Sequence, residues 1–177
     1  MPLVPIKMNL IKLRYSRKAF FPTLLFLLIA ILFLNVFFDL TFLTDPLYII
    51  IAAGISSLLV LIIGLSPFLT DHSLDDQQLT LRQGWYFKAG IPLREIKRIE
   101  IVDHGPMRTG VFFDLLGTAL YVTTQRHDLL LVQLNGRKRF SMAWWKRADR
   151  VYFDTLDKSI FLKQMAQKGI IPSSQVR

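Results

Sequence analysis

The sequence predicts an α+β membrane protein: a two-helix transmembrane hairpin followed by a partly open antiparallel β-barrel or sandwich with a C-terminal helix. Three observations carry that expectation. The apolar residues are concentrated before residue 71 in two uncharged runs of 20 and 25 residues, 19–38 and 46–70. From residue 78 the pattern becomes an alternation of period two, interrupted by Gly, Pro and Asn. Beyond Asp154 an amphipathic helical pattern takes over.

Composition narrows the function classes. The chain has 177 residues, 52% of them hydrophobic, and a mean hydropathy of +0.38, which argues against a wholly soluble protein. A charged fraction of 20% argues against disorder. Cysteine is absent, which removes disulfides, thiolate metal sites, iron–sulfur clusters and cysteine nucleophiles.

Residues 1–18 read as a basic cytoplasmic segment, with Lys7, Lys12, Arg14, Arg17 and Lys18 and no acid. The run 19–38 follows. At 1.5 Å per residue it makes a helix of about 30 Å, the thickness of the hydrocarbon core. Both runs are apolar around their whole circumference, unlike a helix lying on a soluble core. A buried helix pair of a globular domain is the competing reading, and the remaining chain is too short to cover two such helices. A removable signal is the other, but the run is longer than a usual apolar signal core, and its exit, NVFFDLTF, has no small-x-small site. A retained anchor is expected.

Residues 40–45 are a link short enough to force an antiparallel hairpin. Thr44 or Asp45 can cap the second helix, and Pro46 suits its first turn, where no N–H is needed. The link carries no Lys or Arg, whereas 17 basic residues follow residue 70. By the positive-inside rule both termini are cytoplasmic. Within the spans, Asn35 and the small residues Ala53, Gly54, Ser56 and Ser57 suit close contact inside the hairpin or with another subunit. Two spans without an ionisable residue cannot enclose a pore alone.

Residues 71–177 carry the alternation. Leu79 and Leu81 precede a Gln83-Gly84 turn, and Trp85 and Phe87 precede a Gly90-Ile91-Pro92 break. Ile96, Ile99, Ile101 and Val102 predict a third strand with an irregularity at Lys97-Arg98. After an irregular stretch, Leu120 and Val122 mark a further strand. DLLLVQL and RKRFSMAW flank Asn135-Gly136, a pair suited to the type I′ turn of a hairpin. About six strands result. Asp154 is the expected N-cap of the last helix, and Leu156, Ile160, Phe161, Met165 and Ala166 its apolar face.

Four stretches in order, LTLRQGWYFKAG, IPLREIKRIEIV, GPMRTGVFFDLLGT and ALYVTT, resemble the bacterial pleckstrin-homology-like domain of small membrane proteins. In that family a strand pair split by Gly precedes an IPL-x-x-I segment, then a G-P-x-x-R…LLG-T stretch leading into a strand that ends in Thr. The resemblance covers roughly residues 71–124, and a preceding two-helix hairpin is common in the family. It implies a pleckstrin-homology-like fold in a bacterial inner-membrane protein, and a binding or assembly role, not a reaction. Phosphoinositide-binding relatives place a basic cluster between the first two strands. Here that turn is Gln83-Gly84, with only Arg82 and Lys88 near it, so that ligand is not implied.

No constellation for chemistry emerges. His72, His104 and His127 show no ligand spacing and read as solvated loop histidines. Neither a nucleophile elbow nor a Gly-rich phosphate loop is present. No metal, cofactor or small-molecule substrate is expected, and a hydrolase would need a site without a sequence signature. The segment 137–150 holds six basic residues against Asp149: Arg137, Lys138, Arg139, Lys146, Arg147 and Arg150, with Phe140, Trp144 and Trp145 interleaved. Anionic headgroups of the inner leaflet are one partner, at about 1 kcal/mol per basic residue near the surface. Single-stranded nucleic acid is another, disfavoured beside a membrane. The third reading is a hairpin strand whose aromatics fill the core. Val111, Phe112, Phe113, Leu115 and Leu116 form an apolar stretch that must bury against the last helix, the membrane or a second subunit.

The expectation is a non-catalytic, membrane-anchored binding or assembly module on the cytoplasmic face. It would contact anionic lipid, a protein partner or a second copy. The rival is an accessory subunit of a larger transport or energy-conserving complex, with Asn35, Ala53, Gly54 and Ser57 at the interface.

Overall fold

The computed structural model of the chain describes residues 10–41, 46–114, 118–140 and 146–170. They form two units, one helical (17–70 with 84–86) and one of β-strands with a C-terminal helix.

In the helical unit the first apolar run forms α1 (Phe20–Thr41). The second forms α2 (Pro46–Leu59), continued by a π-helical segment Val60–Leu65 and a 3₁₀ turn Ser66–Leu69. Pro46 begins α2 as expected, while Thr44 and Asp45 lie outside the described residues. The helices come close at Gly64, where a Cβ would stand 2.7 Å from Leu24 Cδ1. At the same end Phe68 meets Phe20 and Phe21 edge-on. Many of the described apolar side chains are exposed: Phe26 is 72% exposed and Phe33 69%. Ile50–Leu69 spans 20 residues at a mean hydropathy of 2.3, long and apolar enough to cross a membrane, and only 17% of its apolar window is buried. Phe20–Val36 is a shorter apolar helix.

The β unit contains nine strands among its described residues. One open sheet runs β1 (Ile11–Leu13), β2 (His72–Leu74), β3 (Gln78–Gln83), β4 (Phe87–Pro92), all antiparallel. The other has the order β5-β8-β9-β7-β6, from β5 (Ile96–His104), β6 (Gly110–Phe113), β7 (Ala119–Thr123), β8 (His127–Arg139) and β9 (Arg147–Phe153). α3 (Lys158–Gln167) lies against the core through Phe161 and Met165, four residues apart on one face. Phe161 meets Phe153 edge-on at 5.4 Å, and burying each such ring contributes about 1.5–3 kcal/mol.

β3, β5 and β7 stand where the alternation puts them, and the expected irregularity is a register shift between Ile96 and Arg98. β4 is displaced: the turn is 84–86, so Trp85 lies in it and Gln83 stays in β3, and β4 runs on through Gly90, Ile91 and Pro92, the expected break, because all three keep partners on β3. Four further features differ. First, residues 11–13, part of the basic N-terminal segment, form the edge strand β1, with Leu13 opposite His72 and fully buried. Second, the second sheet is mixed, not antiparallel, because β9 inserts between β8 and β7 and runs parallel to β7. Alternation reports which face is buried and is blind to strand direction.

Third, β8 continues through Asn135-Gly136 without a turn. The pair sits in a bulge, where the β9 register shifts between Gln133 and Lys138, and the Asn135 amide donates to the Arg94 carbonyl at 3.1 Å. The β8–β9 connection lies later, at residues 140–146. Fourth, Asp154 precedes α3 by too much to cap it. Asp157 holds the N-cap position without a side-chain cap bond, its carboxylate taken by Arg14 at 3.0 Å. Leu156 and Ile160, expected on the apolar face of α3, are exposed, as is Ala166.

Candidate functional site

The basic segment folds as the far end of the β8–β9 ribbon. β5 pairs with β8 only as far as Leu134, so beyond the bulge β8 has β9 alone as a partner, with Lys138 opposite Ala148 and Arg139 opposite Arg147. Phe140 and Ala148 turn into the core, as the core-filling reading of this segment requires. The basic groups divide. Lys138 reaches Glu95 at 2.8 Å, Arg150 donates to the Thr118 hydroxyl at 2.8 Å, and Lys146 lies 5.9 Å from the Phe113 ring centroid. Asp149 is shared by Arg137 and Arg150, each at 3.8 Å.

Arg137, Arg139 and Arg147 remain exposed. Arg139 and Arg147 face each other across the ribbon, and like charges directly opposite destabilise a strand pair. An anion bridging the two guanidinium groups would remove that repulsion. Trp144 and Trp145 lie outside the described residues.

The expected apolar docking stretch is mostly a strand. Val111 and Phe113 of β6 pack on the core, and Phe112 points to the other face. Leu115 and Leu116 lie outside the described residues. Asp114 closes the turn by accepting the Thr118 and Ala119 N–H groups and the Thr118 hydroxyl. Burial raises its pKa, but those donors win and hold the carboxyl below its ordinary range.

Across β6, β7 and β9 the rings of Phe112, Tyr121 and Tyr152 stack in a row, with centroids 4.9 and 4.6 Å apart. Arg108 stands 5.6 Å over the Phe112 ring. This half-buried aromatic row has no signature in the sequence. Each strand offers one outward aromatic, and only register brings the three together.

His104 and His127 pair across the β5–β8 ends with ring centroids 5.5 Å apart, and both are exposed as expected. His72 departs from that expectation. It is buried between Tyr15 and Phe153, and its Nδ1 accepts the Arg82 N–H at 3.1 Å. Burial pushes its pKa down to about 3, against smaller opposing effects from the Arg82 and Asp154 backbone.

Asp154 is buried where the chain leaves β9. Its carboxylate accepts the Thr124 N–H at 2.5 Å and the Thr124 hydroxyl at 2.6 Å, with the Gln125 amide at 3.4 Å. Burial raises its pKa despite these donors. Among the described residues no group of three or more His, Asp or Glu could hold a metal ion. An open cleft of about 650 Å³ lies between the β2–β3 turn and the end of β4, lined by Asp75, Asp76, Gln77, Gln78, Pro92, Leu93 and Arg94.

In the helical unit Asn35 donates to the Ile31 carbonyl at 2.8 Å, satisfying itself within its own helix. Ala53, Gly54 and Ser57 are exposed, and nothing lies within 4 Å of a Cβ placed on Gly54. Gly64, which the sequence reading passed over, makes the close approach instead. Comparison with protein-family models, with curated proteins and with solved structures finds no match to this chain.

Proposed function

We propose that this chain is a membrane-anchored, non-catalytic binding or assembly module of the bacterial pleckstrin-homology-like kind. The helical hairpin is its anchor, and the β unit is held on the cytoplasmic face of the inner membrane. The observation that carries the reading is the pairing of Leu13 with His72. The strands leading into residue 17 and out of residue 70 are neighbours, so a chain crossing a bilayer between them crosses it an even number of times. Two apolar helices with outward-facing Phe, Leu and Ile side chains supply two crossings. The excess of Lys and Arg outside the hairpin link sets the side.

The working surface is the exposed end of the β8–β9 ribbon, Arg137, Arg139 and Arg147, which suits an anionic headgroup or an acidic protein surface. Replacing these three by Gln in the full chain, followed by nanodisc purification and mass spectrometry, tests it. The expected result is an unchanged membrane-integral protein that has lost its co-purifying anionic lipid or partner. Loss of membrane integration itself would contradict the anchor, and an unchanged set of co-purifying molecules would contradict the patch. The second reading, an accessory subunit of a larger membrane complex, draws on the exposed Ala53, Gly54 and Ser57 of α2. A stoichiometric integral partner in the same purification, lost on Gly54→Leu, would favour it.

A further inference from the structure

The turn between β3 and β4, residues 84–86, groups with the helices and not with the strands it joins. Two side chains at the end of the second apolar helix hold it there. Ser66 Oγ donates back to the Ile62 carbonyl and accepts the Trp85 N–H at 2.9 Å. Thr70 Oγ1 accepts the Gly84 N–H at 2.9 Å. Gly84 sits at φ +64°, and a Cβ there would stand 2.5 Å from Ser66 Oγ and 2.6 Å from the Tyr86 ring. Only glycine satisfies both the backbone angle and the space. The turn is therefore tied firmly to the helix end, yet it presents its rings outward: Trp85 is 52% exposed and Tyr86 38%. Phe21 and Leu69, at the same end of the helices, are also exposed, and Arg17 and Lys18 immediately precede α1.

We propose that Trp85 and Tyr86 are a membrane-interface anchor, seated at the boundary between headgroups and acyl chains of the bilayer that the hairpin crosses. Indole and phenol rings combine an apolar body with a polar N–H or O–H, and that zone is where such rings are most favourable. The basic pair Arg17 and Lys18 lies on the headgroup side of the same end, and the exposed Phe21 and Leu69 face the chains. The ring pair belongs to a loop of the β unit by sequence and to the helices by bonding, so it sets the depth at which the chain leaves the bilayer. The occupant is the lipid interface itself, without selectivity for one headgroup.

This inference rests on the membrane-anchor reading, and one experiment separates the two. The chain has three tryptophans, so Trp144→Phe with Trp145→Phe leaves Trp85 as the only indole. The full-length variant is placed in proteoliposomes whose lipids are brominated near the carbonyl or near the chain end. Retention after carbonate washing reports the anchor. Quenching of Trp85 reports the interface, and shallow bromine should quench at least about twofold more than deep bromine. Where the double variant fails to fold, the difference between wild type and Trp85→Phe gives the same reading. A retained protein whose Trp85 is quenched by aqueous acrylamide and by neither bromolipid would overturn this proposal alone. A protein released by carbonate would overturn the anchor and the proposal with it.

Discussion

His72 and Asp154 show how a single buried group acquires a role that its residue type does not announce. An imidazole enclosed by Tyr15, Phe153 and the Arg82 N–H is stable only when neutral. Its folded pKa, about 3, lies below the unfolded value of 6.5, so the unfolded chain binds the extra proton first as pH falls. Its contribution is complete above pH 6.5 and is lost as pH drops through that window toward 3. The slope reaches at most about 1.4 kcal/mol per pH unit. Asp154 works in the opposite sense. Its raised pKa makes protonation favour the folded state, so its effect weakens as pH rises from the unfolded value of 3.8 through the folded one. Thermal unfolding of the detergent-solubilised chain should therefore show a His72-dependent loss of stability as pH falls below 6.5, with Asp154 acting against it. His72→Gln should abolish that loss. A decline of equal slope in the variant would assign it to other groups.

Edge strand β1 and the β8–β9 ribbon decide how the individual segments combine. β1 has only three residues, too few for any pattern, and its partner β2 lies beyond the whole hairpin. Arg14 then ties the segment to the start of α3, through its carbonyl to the Leu156 N–H at 2.7 Å and the Thr155 hydroxyl at 2.9 Å. Its guanidinium holds Asp157 below the ordinary carboxylate range, chiefly by hydrogen bonding. A solvated basic tail would tolerate Leu13→Ala without cost. In a fully buried edge position the same change should lower stability by about 2–5 kcal/mol. Denaturant unfolding followed by circular dichroism checks this, and an unchanged midpoint would remove β1 from the fold. In the ribbon, Asn135-Gly136 is absorbed as a bulge because the strand on either side keeps its partners. β8 pairs with β5 up to residue 134 and with β9 beyond residue 137.

For the molecule as a whole, the proposal requires an even number of crossings with the β unit on one side. The chain lacks cysteine, so single introduced thiols report topology cleanly. Leu10→Cys and Ser159→Cys should react with an impermeant maleimide only from the cytoplasmic face, and Thr44→Cys only from the opposite face. Labelling of all three from one side would mean that the apolar helices do not span. With the expected labelling, the proposal has the cationic ribbon end meet an anionic surface on the side where Leu10 and Ser159 react. The contribution of that end should weaken with ionic strength because the arginines are exposed.

The two helices, three of the strands and the final helix were legible in the amino-acid order, because apolar run length and period are properties of consecutive residues. Burial of Phe140 and the irregularity at Lys97-Arg98 were legible for the same reason. The candidate patch was legible as a cluster of charge, but not as the facing pair Arg139 and Arg147, which depends on register. Strand direction, the recruitment of residues 11–13, the aromatic row Phe112–Tyr121–Tyr152, and the burial of His72 were not readable. The same holds for the tie between Ser66 and the Trp85 turn. Each is a relation between segments distant in the chain, and alternation or charge along one segment carries no information about its neighbour. Local periodicity sets which faces are apolar; tertiary packing chooses which of those faces meet, and with them which polar groups are buried and which rings are left facing out.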